Sequence, residues 1–356
     1  PLQSPLFFRG FPTLNHLFIE GYVMGDIPAS LWDLQQLSSL RLPRCALTLS
    51  TDGAASLATL SELGTLDLSH NPLGQLPDFS AMPRLSSIDL EDIGLTAIPD
   101  SLLTAVERQH VKLSNNLITQ VPDSMFRLPD AVTAVFELSR NPLNRSALMQ
   151  IKRHCQRTGE HWRVDAPTSL RERIEALYPT FTENEASRFF FELPGDLDAA
   201  EPAIEQLEAE YAQLRTDLEE WVVDVPERHP VVDTLLDEQT RAQDQLNRRA
   251  FKALLEEAWR RESEVDDNDD RFEPSHKLTF DAPILGELPE LSARFEHVTT
   301  LDLEGNGTTT RIDGLLKCFP KLRSLVISRF SLGDIPLTAF SLAELNALSL
   351  TESARS

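Results

Sequence analysis

Leucine and other apolar residues recur at fixed intervals through the first 140 residues of this chain. The clearest copy of the pattern places Leu63, Leu66 and Leu68 two or three positions apart, follows them with Asn71, and ends on Pro77. A phrase of this length cannot bury its own apolar face, so it has to stack on copies of itself. The pattern therefore predicts an array of stacked coils. Their first residues are Leu14, Leu37, Leu63, Leu85, Arg108 and Thr133.

The interval between copies is typical of leucine-rich repeats, which are roughly 20–29 residues long. Within each copy the Leu-x-Leu pair predicts a short strand whose leucines point inward. The residue at the Asn position should turn the chain out of the strand, and its amide should bind backbone groups of the adjacent coil. Asn71, Asn116 and Asn141 occupy that place, Cys45 is the predicted substitute, and Ile93 should interrupt the series.

A second repeat array is predicted near the other end of the chain. It begins with Val298, Leu301, Leu303 and Asn306. Residues 11–42 align without gaps on residues 319–350, and both segments contain Gly-Asp-Ile-Pro. This alignment indicates a larger duplication, and it predicts that the chain is part of a longer polypeptide.

Helical spacing replaces the strand pattern between the two arrays. A capping helix is expected over 145–156, and Thr182 with Glu185 forms a capping box. Two long helices joined by a turn with Pro226 and Pro230 predict an antiparallel hairpin. It could serve as a spacer, as a dimerisation element or as a partner site. The predicted seam residues are Ile204, Leu207, Tyr211, Leu214, Leu218, Trp221, Leu235, Ala242, Leu246, Ala250, Leu254 and Ala258.

The predicted fold class is α/β. We expect a leucine-rich-repeat solenoid, with short parallel strands on its concave face, that is interrupted by an α-helical insertion containing the long hairpin. The first array should occupy residues 1–145, and the helical cap with the acidic hairpin insertion residues 146–275. The start of a second array should occupy residues 276–356.

Charge narrows the class of partner. The chain carries a formal net charge of −23, and residues 151–280 contain 17 basic against 31 acidic side chains. This acidity argues against nucleic acid and against anionic membrane surfaces as partners. The acidic run from Glu264 to Asp270 lacks the Gly and Glu that a calcium loop needs, and it is interpreted as a linker. The three cysteines show no paired cap pattern, which favours a reducing compartment.

Motifs of enzyme chemistry are missing from the sequence. It has no Gly-rich phosphate loop, no Gly-x-Ser-x-Gly and no His-Glu-x-x-His. His154, Cys155 and His161 are too few, and wrongly spaced, for a zinc site. We therefore predict no catalytic residue, no cofactor and no metal in this chain.

The predicted function is recognition of a target protein through the concave face, because solenoids bind through such surfaces. An acidic stripe of Asp67, Asp89, Glu91 and Glu137 should favour a basic partner. The same positions also fit ordinary solvated strand residues. The full predicted binding set is Phe18, Glu20, Arg41, Thr65, Asp67, Ser69, Ser87, Asp89, Glu91, Lys112, Ser114 and Glu137.

Several segments make the chain resemble a bacterial family. They are the two Gly-Asp-Ile-Pro repeats, the coils at 68–74 and 139–144, and the stretches at 176–182 and 210–214. Together they resemble the repeat region of dermonecrotic-toxin-like proteins and of NEL-type E3 ubiquitin ligases of the IpaH class. The resemblance implies the target-binding part of a secreted or injected bacterial effector.

In that ligase family the catalytic cysteine is followed two residues later by Asp. Cys45, Cys155 and Cys318 all lack that Asp. The resemblance therefore implies no ligase activity in these residues, and any link to the ubiquitin pathway would come from domains outside this chain. The alternative is an intramolecular scaffold or autoinhibitory region for flanking catalytic domains.

Overall fold

The computed structural model of the chain describes residues 6–104, 108–265, 275–281 and 283–352. The chain divides into two compact units. The first unit comprises Pro1–Ile174 and Thr182–Glu201, and the second comprises Glu175–Phe181 and Pro202–Ser356.

Six short parallel strands form one sheet in the first unit, in the order of the chain. The central residue of the second to fifth strands is fully buried, and so is Phe136 in the two-residue sixth strand, as the Leu-x-Leu pattern predicts. The strand periodicity of the first array is confirmed. The strands are β1 (His16–Phe18), β2 (Ser39–Arg41), β3 (Thr65–Asp67), β4 (Ser87–Asp89), β5 (His110–Lys112) and β6 (Phe136–Glu137).

The return segments between the strands are short helical turns. Pro28 and Pro99 stand directly before the 3-10 turns Ala29–Asp33 and Asp100–Leu102. Proline lacks the N–H group that would continue the strand ladder, and its fixed φ suits the residue before a helical turn. Two return segments contain α-helical turns. They are α1 (Thr51–Leu57), which Ser50 caps by accepting the N–H of Gly53, and the single turn α2 (Asp130–Thr133).

Side-chain amides hold successive coils together where each strand ends. The Oδ1 atom of Asn71 accepts the backbone N–H groups of Cys45 and Leu47, both at 2.9 Å, and its Nδ2 donates to the Leu42 and Leu68 carbonyls. Asn116 and Asn141 make equivalent bonds to the coils that precede them. The predicted amide ladder is confirmed, because each buried coil finds its polar partners in the neighbouring repeat.

The exceptions to the ladder also behave as predicted. The Sγ atom of Cys45 donates to the carbonyl of Ile19 at 3.3 Å, so the thiol acts as a weak substitute for the amide. Ile93 occupies the same position with an apolar side chain, and it contributes only its backbone N–H, to Asn116.

Helices follow the sixth strand. The capping helix is α3 (Arg145–Thr158), which starts at the N-cap Asn144 and ends at Gly159 in the left-handed conformation. Next come α4 (Thr168–Leu177) and α5 (Glu183–Glu192), and the predicted capping box of Thr182 and Glu185 opens α5.

A buried lysine, which the sequence pattern did not predict, joins α3 to the end of α5. Lys152 is fully buried, and its Nζ donates to the carbonyls of Phe190 at 3.0 Å and Leu193 at 2.6 Å. An ammonium at the C-terminus of a helix is favoured by unpaired carbonyls and by the helix dipole. Lys152 therefore provides the cap that the local sequence of α5 lacks.

The long helices are α6 (Leu197–Val223) and α7 (Glu238–Trp259). In the second unit Trp259 Nε1 donates to Glu210 at 3.0 Å, and Lys252 Nζ contacts Glu219 at 2.5 Å. The later residue of α7, Trp259, contacts the earlier residue of α6, Glu210, and the earlier Lys252 contacts the later Glu219. The two helices therefore run antiparallel.

The apolar seam predicted for α7 is wrong over most of the helix, although Ala258 at its end is fully buried. Leu246 is 56% exposed, and Leu235, before the helix, is 74% exposed, whereas Phe251 and Leu255 are fully buried. The reason is a buried polar pair on the packed face. Arg248 contacts Asp244 at 2.7 Å and donates to the Leu285 carbonyl, and Asp244 accepts the Leu285 N–H.

The second unit contains seven described strands and one short α-helix after α7. The elements are β7 (Glu264–Val265), β8 (His276–Asp281), β9 (Gly286–Glu287), β10 (Val298–Glu304), β11 (Thr309–Arg311), α8 (Asp313–Leu316), β12 (Ser324–Phe330) and β13 (Ala347–Glu352). The strands form a five-stranded sheet of order β13-β12-β10-β8-β7 and a two-stranded sheet of β9 and β11. All neighbouring pairs are parallel except β7 with β8.

Asn306 does not continue the amide ladder of the first unit. It is exposed, and among the described residues its Oδ1 accepts only the hydroxyl of Thr308. Instead the ring of Phe330 covers Gly305, where an added Cβ would lie 2.6 Å from two ring carbons. In the acidic run, Glu264 lies in β7, whereas residues 266–270 lie outside the described residues.

Candidate functional site: the strand face of the first unit

The residues that alternate with the buried leucines form two rows across the first sheet, and we call these rows the strand face. The register aligns each row member with its neighbour on the next strand. Six of the twelve predicted binding residues lie in one row and two in the other. The first row is Phe18, Arg41, Asp67, Asp89, Lys112 and Glu137, and the second is His16, Ser39, Thr65, Ser87 and His110.

Phe18 and Arg41 are the most accessible part of the first row. The Phe18 side chain is 59% exposed, and the Arg41 guanidinium lies 5.5 Å from the centre of its ring. An exposed aromatic ring with an arginine on its face is a combination enriched at protein interfaces.

The acidic stripe is compensated by cations. Lys112 Nζ lies 2.5 Å from Glu91 and 3.8 Å from Asp89. Arg41 lies 3.5 Å from Asp67, and Arg163, which the sequence pattern did not single out, lies 3.8 Å from Glu137. The strand face therefore presents charges of both signs, and ion pairs hold its carboxylates in position.

Three predicted binding residues offer little surface to a partner. Asp67 is 6% exposed, Ser69 5% and Ser114 2%. Asp67 accepts both the N–H and the hydroxyl of Ser69 within the coil, at 3.0 and 2.7 Å. The expectation that they point into solvent is wrong, because the chain turns sharply after each strand and buries these side chains. Asp67 and Ser69 bond to each other there, whereas the buried hydroxyl of Ser114 has no hydrogen-bond partner among the described residues.

The protonation states on this face follow from burial and pairing. Burial raises the pKa of Asp89, although the Glu91 N–H and Lys112 act against it. Burial disfavours the charged form of Lys112, but the hydrogen bond to Glu91 and the charge of Asp89 outweigh it and raise the pKa of the lysine. Lys112 is therefore a permanent cation that holds both acids.

A third row lies just past the strands and was missed by sequence reasoning. Its members are non-glycine residues in the left-handed conformation, and each stands directly before the Asn position of its repeat. This constant place in the repeat is the sequence signal from which the row could have been predicted. His70 Nδ1 lies 3.0 Å from Asp92, and Arg44 contacts Glu20 at 2.9 Å. The row is Arg44, His70, Asp92, Asn115 and Arg140.

The cysteines are poor candidates for chemistry. All three thiols are buried. Burial raises the pKa of Cys45 and Cys155, and it raises that of Cys318 to about 11, so they stay protonated near neutral pH. Among the described residues no group of three or more His, Cys, Asp or Glu side chains could hold a metal ion.

Comparison with known proteins supports the identity of the repeats. Over 142 residues the chain is 41% identical to a probable leucine-rich repeat receptor-like protein kinase of Arabidopsis thaliana. These repeats are leucine-rich repeats. The match covers 33% of this chain and only 15% of the kinase, so the chain spans a small part of that protein. No family model matches the chain.

Solved structures give distant likenesses. A plant ice-binding protein is 28% identical, with 39% of this chain and 44% of that chain covered and a TM-score of 0.32. A leucine-rich-repeat protein of Leptospira interrogans is 16% identical, with 98% and 91% covered and a TM-score of 0.33. At these TM-scores the likenesses carry no inference about function. Within the described part of the chain, no helix is long and apolar enough to cross a membrane.

Proposed function

We propose that this chain is a protein-binding module and that the strand face of the first unit is its binding surface. The observation that carries the proposal is the first row, in which the exposed Phe18 and Arg41 continue into charged groups held by ion pairs. Side chains that are already ordered lose little entropy when a partner binds. Stacked repeats commonly bind through the extended surface that their strands form.

The partner that fits this surface is a protein with a basic segment. The chain has a net charge of −23, and its long-range field attracts cations. The compensated row then sets the register, because a partner must meet Arg41, Asp89 and Lys112 in their fixed order.

Within this proposal the chain serves target recognition in a bacterial effector, toxin or E3 ubiquitin ligase, in the host cytoplasm. The support is the resemblance of its helical stretches to that family. The chain itself would perform no ubiquitin transfer, since its three thiols are buried and lack the following Asp. Incubation with a ubiquitin-charged conjugating enzyme should give no thioester on Cys45, Cys155 or Cys318, and a thioester on any of them would contradict this part.

The test of the binding surface is quantitative capture from eukaryotic and bacterial lysates. The test variant combines Phe18→Ser with Arg41→Glu. The matched control combines Leu117→Ser with Arg84→Glu, which changes one exposed apolar residue and one exposed arginine outside the rows. A partner retained by the wild type and the control but lost by the test variant is the expected result. Equal capture by all three would move binding away from the strand face.

If no protein is enriched from either lysate, recognition of a separate target is wrong. The alternative, an internal scaffold for flanking domains, would then be tested by binding those domains to this chain in isolation.

A further inference from the structure

A cleft in the first unit gathers three arginines outside the strand face. Its volume is about 470 Å³, and Arg127, Arg153 and Arg157 line it with Phe126 and His154. This size lies within the range of roughly 300–1,000 Å³ that is typical of pockets for small molecules.

The local fold forces these cations together. Arg153 and Arg157 are one turn apart on the same face of α3, and Arg127, which also lines the cleft, ends the 3-10 turn Met125–Arg127. Like charges at positions i and i+4 of a helix destabilise it by about 0.2–0.5 kcal/mol. An arrangement with this cost gains stability when an anion lies between the charges.

Ion pairing does not offset the charges. Elsewhere in the first unit arginines contact carboxylates, as Arg44 does with Glu20 and Arg145 with Asp198. No carboxylate of a described residue lies within 4 Å of the guanidinium nitrogens of Arg127, Arg153 or Arg157, and Arg157 instead lies 3.3 Å from His154 Nδ1.

One carboxylate, Asp123, also lines the cleft, and its Oδ1 accepts the amide of Gln150 at 3.4 Å. Three guanidinium groups against one carboxylate leave the cleft electropositive, in a chain whose net charge is −23.

The cleft also has an aromatic wall. Phe126 stacks on Trp162 with ring centroids 4.9 Å apart, and both rings contact His154. His154 is 4% exposed, and its Nε2 has no hydrogen-bond partner among the described residues, with Asp130 3.9 Å away. Burial and the neighbouring Arg157 lower the pKa of His154, so the ring is neutral at pH 7.

We propose that this cleft binds a small organic phosphate, with the phosphate among Arg127, Arg153 and Arg157 and an aromatic or apolar body against Phe126. A phosphate dianion suits several planar guanidinium groups better than a single carboxylate does, because its two charges lie on three terminal oxygens that can accept N–H groups from more than one guanidinium. A phosphate alone would leave most of the cleft empty. This proposal does not depend on the strand face.

The test measures the affinity of the whole chain for phenyl phosphate, inorganic phosphate and phenol by isothermal titration calorimetry at low salt. Phenyl phosphate should bind saturably at one site, inorganic phosphate at least about tenfold more weakly, and phenol not measurably. Equal affinity for phenyl phosphate and inorganic phosphate would overturn the aromatic part of the proposal, and no saturable binding would overturn all of it.

Two variants locate the site. Arg153→Gln with Arg157→Gln should weaken phenyl phosphate about tenfold or more. Arg9→Gln with Arg84→Gln removes the same charge from exposed positions elsewhere in the unit and should leave affinity unchanged. Equal weakening by both pairs would show attraction by net charge and overturn the site. Phe126→Ala should weaken phenyl phosphate without affecting inorganic phosphate, and an unchanged affinity would exclude the aromatic wall.

Discussion

The two units solve the same problem, buried polar groups, in different ways. In the repeats of the first unit short side chains at a recurring position bind the backbone of the preceding coil, as Asn71 and Asn116 do. In the second unit long side chains reach across the unit, as Arg248 does to the carbonyls of Trp221 and Leu285.

This difference shows which hydrogen bonds can be predicted from a sequence. A repeat places donor and acceptor at a constant spacing, so one coil predicts the bonds of the next. A non-repeating unit brings together groups whose spacing occurs once, and its bonds depend on the whole packing. The following changes test that contrast, from the largest expected effect to the smallest.

Arg248→Met should destabilise the second unit by about 3–5 kcal/mol, because it leaves Asp244 buried without its cation. Arg249→Met removes an exposed arginine at the next position and should change stability by less than about 0.5 kcal/mol. Urea unfolding of both variants measures the difference. A cost below about 1 kcal/mol for Arg248→Met would mean that the pair does not organise the unit.

Asn71→Ala should destabilise the first unit by about 3 kcal/mol, since each buried group left without a partner costs roughly 1–3 kcal/mol. Asn306→Ala alters the same repeat position in the second unit, where the amide is exposed, and should cost less than about 0.5 kcal/mol. Hydrogen exchange at Cys45 and Leu47 should accelerate only in Asn71→Ala. Equal costs for the two variants would remove the contrast between the units.

Gly305→Ala should cost about 2 kcal/mol, because the new methyl group meets the Phe330 ring at 2.6 Å in a packed core. Gly64→Ala is the matched change in the first unit, where the nearest atom to a Cβ is a carbonyl oxygen 3.6 Å away. There stability should stay the same or rise by up to about 1 kcal/mol. Thermal unfolding compares the two, and a tolerated Gly305→Ala would show that the ring can move.

Lys152 gives the first unit a pH dependence that its repeats do not have. Burial lowers the pKa of this lysine to about 8, below its ordinary value of 10.5. Between those values the unfolded chain binds the proton and the folded chain does not, so stability rises with pH.

Relative to Lys152→Met, wild-type stability should therefore increase by about 1.4 kcal/mol per pH unit above 8 and level off near 10.5. Urea midpoints at pH 7 to 10.5 measure this. A difference that stays constant with pH would show that the lysine keeps its proton against the carbonyls of Phe190 and Leu193.

The sequence predicted which residues of the candidate site lie on the strands, but not which of them are buried or paired with a charge. The rows through Phe18, Arg41 and Asp89 follow from the strand period, and the register confirms them. The burial of Ser114 and the pairing of Glu137 with Arg163 could not be foreseen, since both depend on how the chain turns after the strand and where the next segment returns.

The amino-acid pattern alone predicts the strands of the first unit, the amide ladder with its Cys45 substitute and its gap at Ile93, and the capping box at Thr182. Each depends on groups a few residues apart or at the same place in neighbouring repeats. Three other features follow only from the packing of the folded chain: which face of α7 is buried, the contact of Lys152 with the end of α5, and the meeting of Arg127 with the arginines of α3. In each of these the partners lie on different elements at separations that do not recur, so their contact depends on packing rather than on any local pattern.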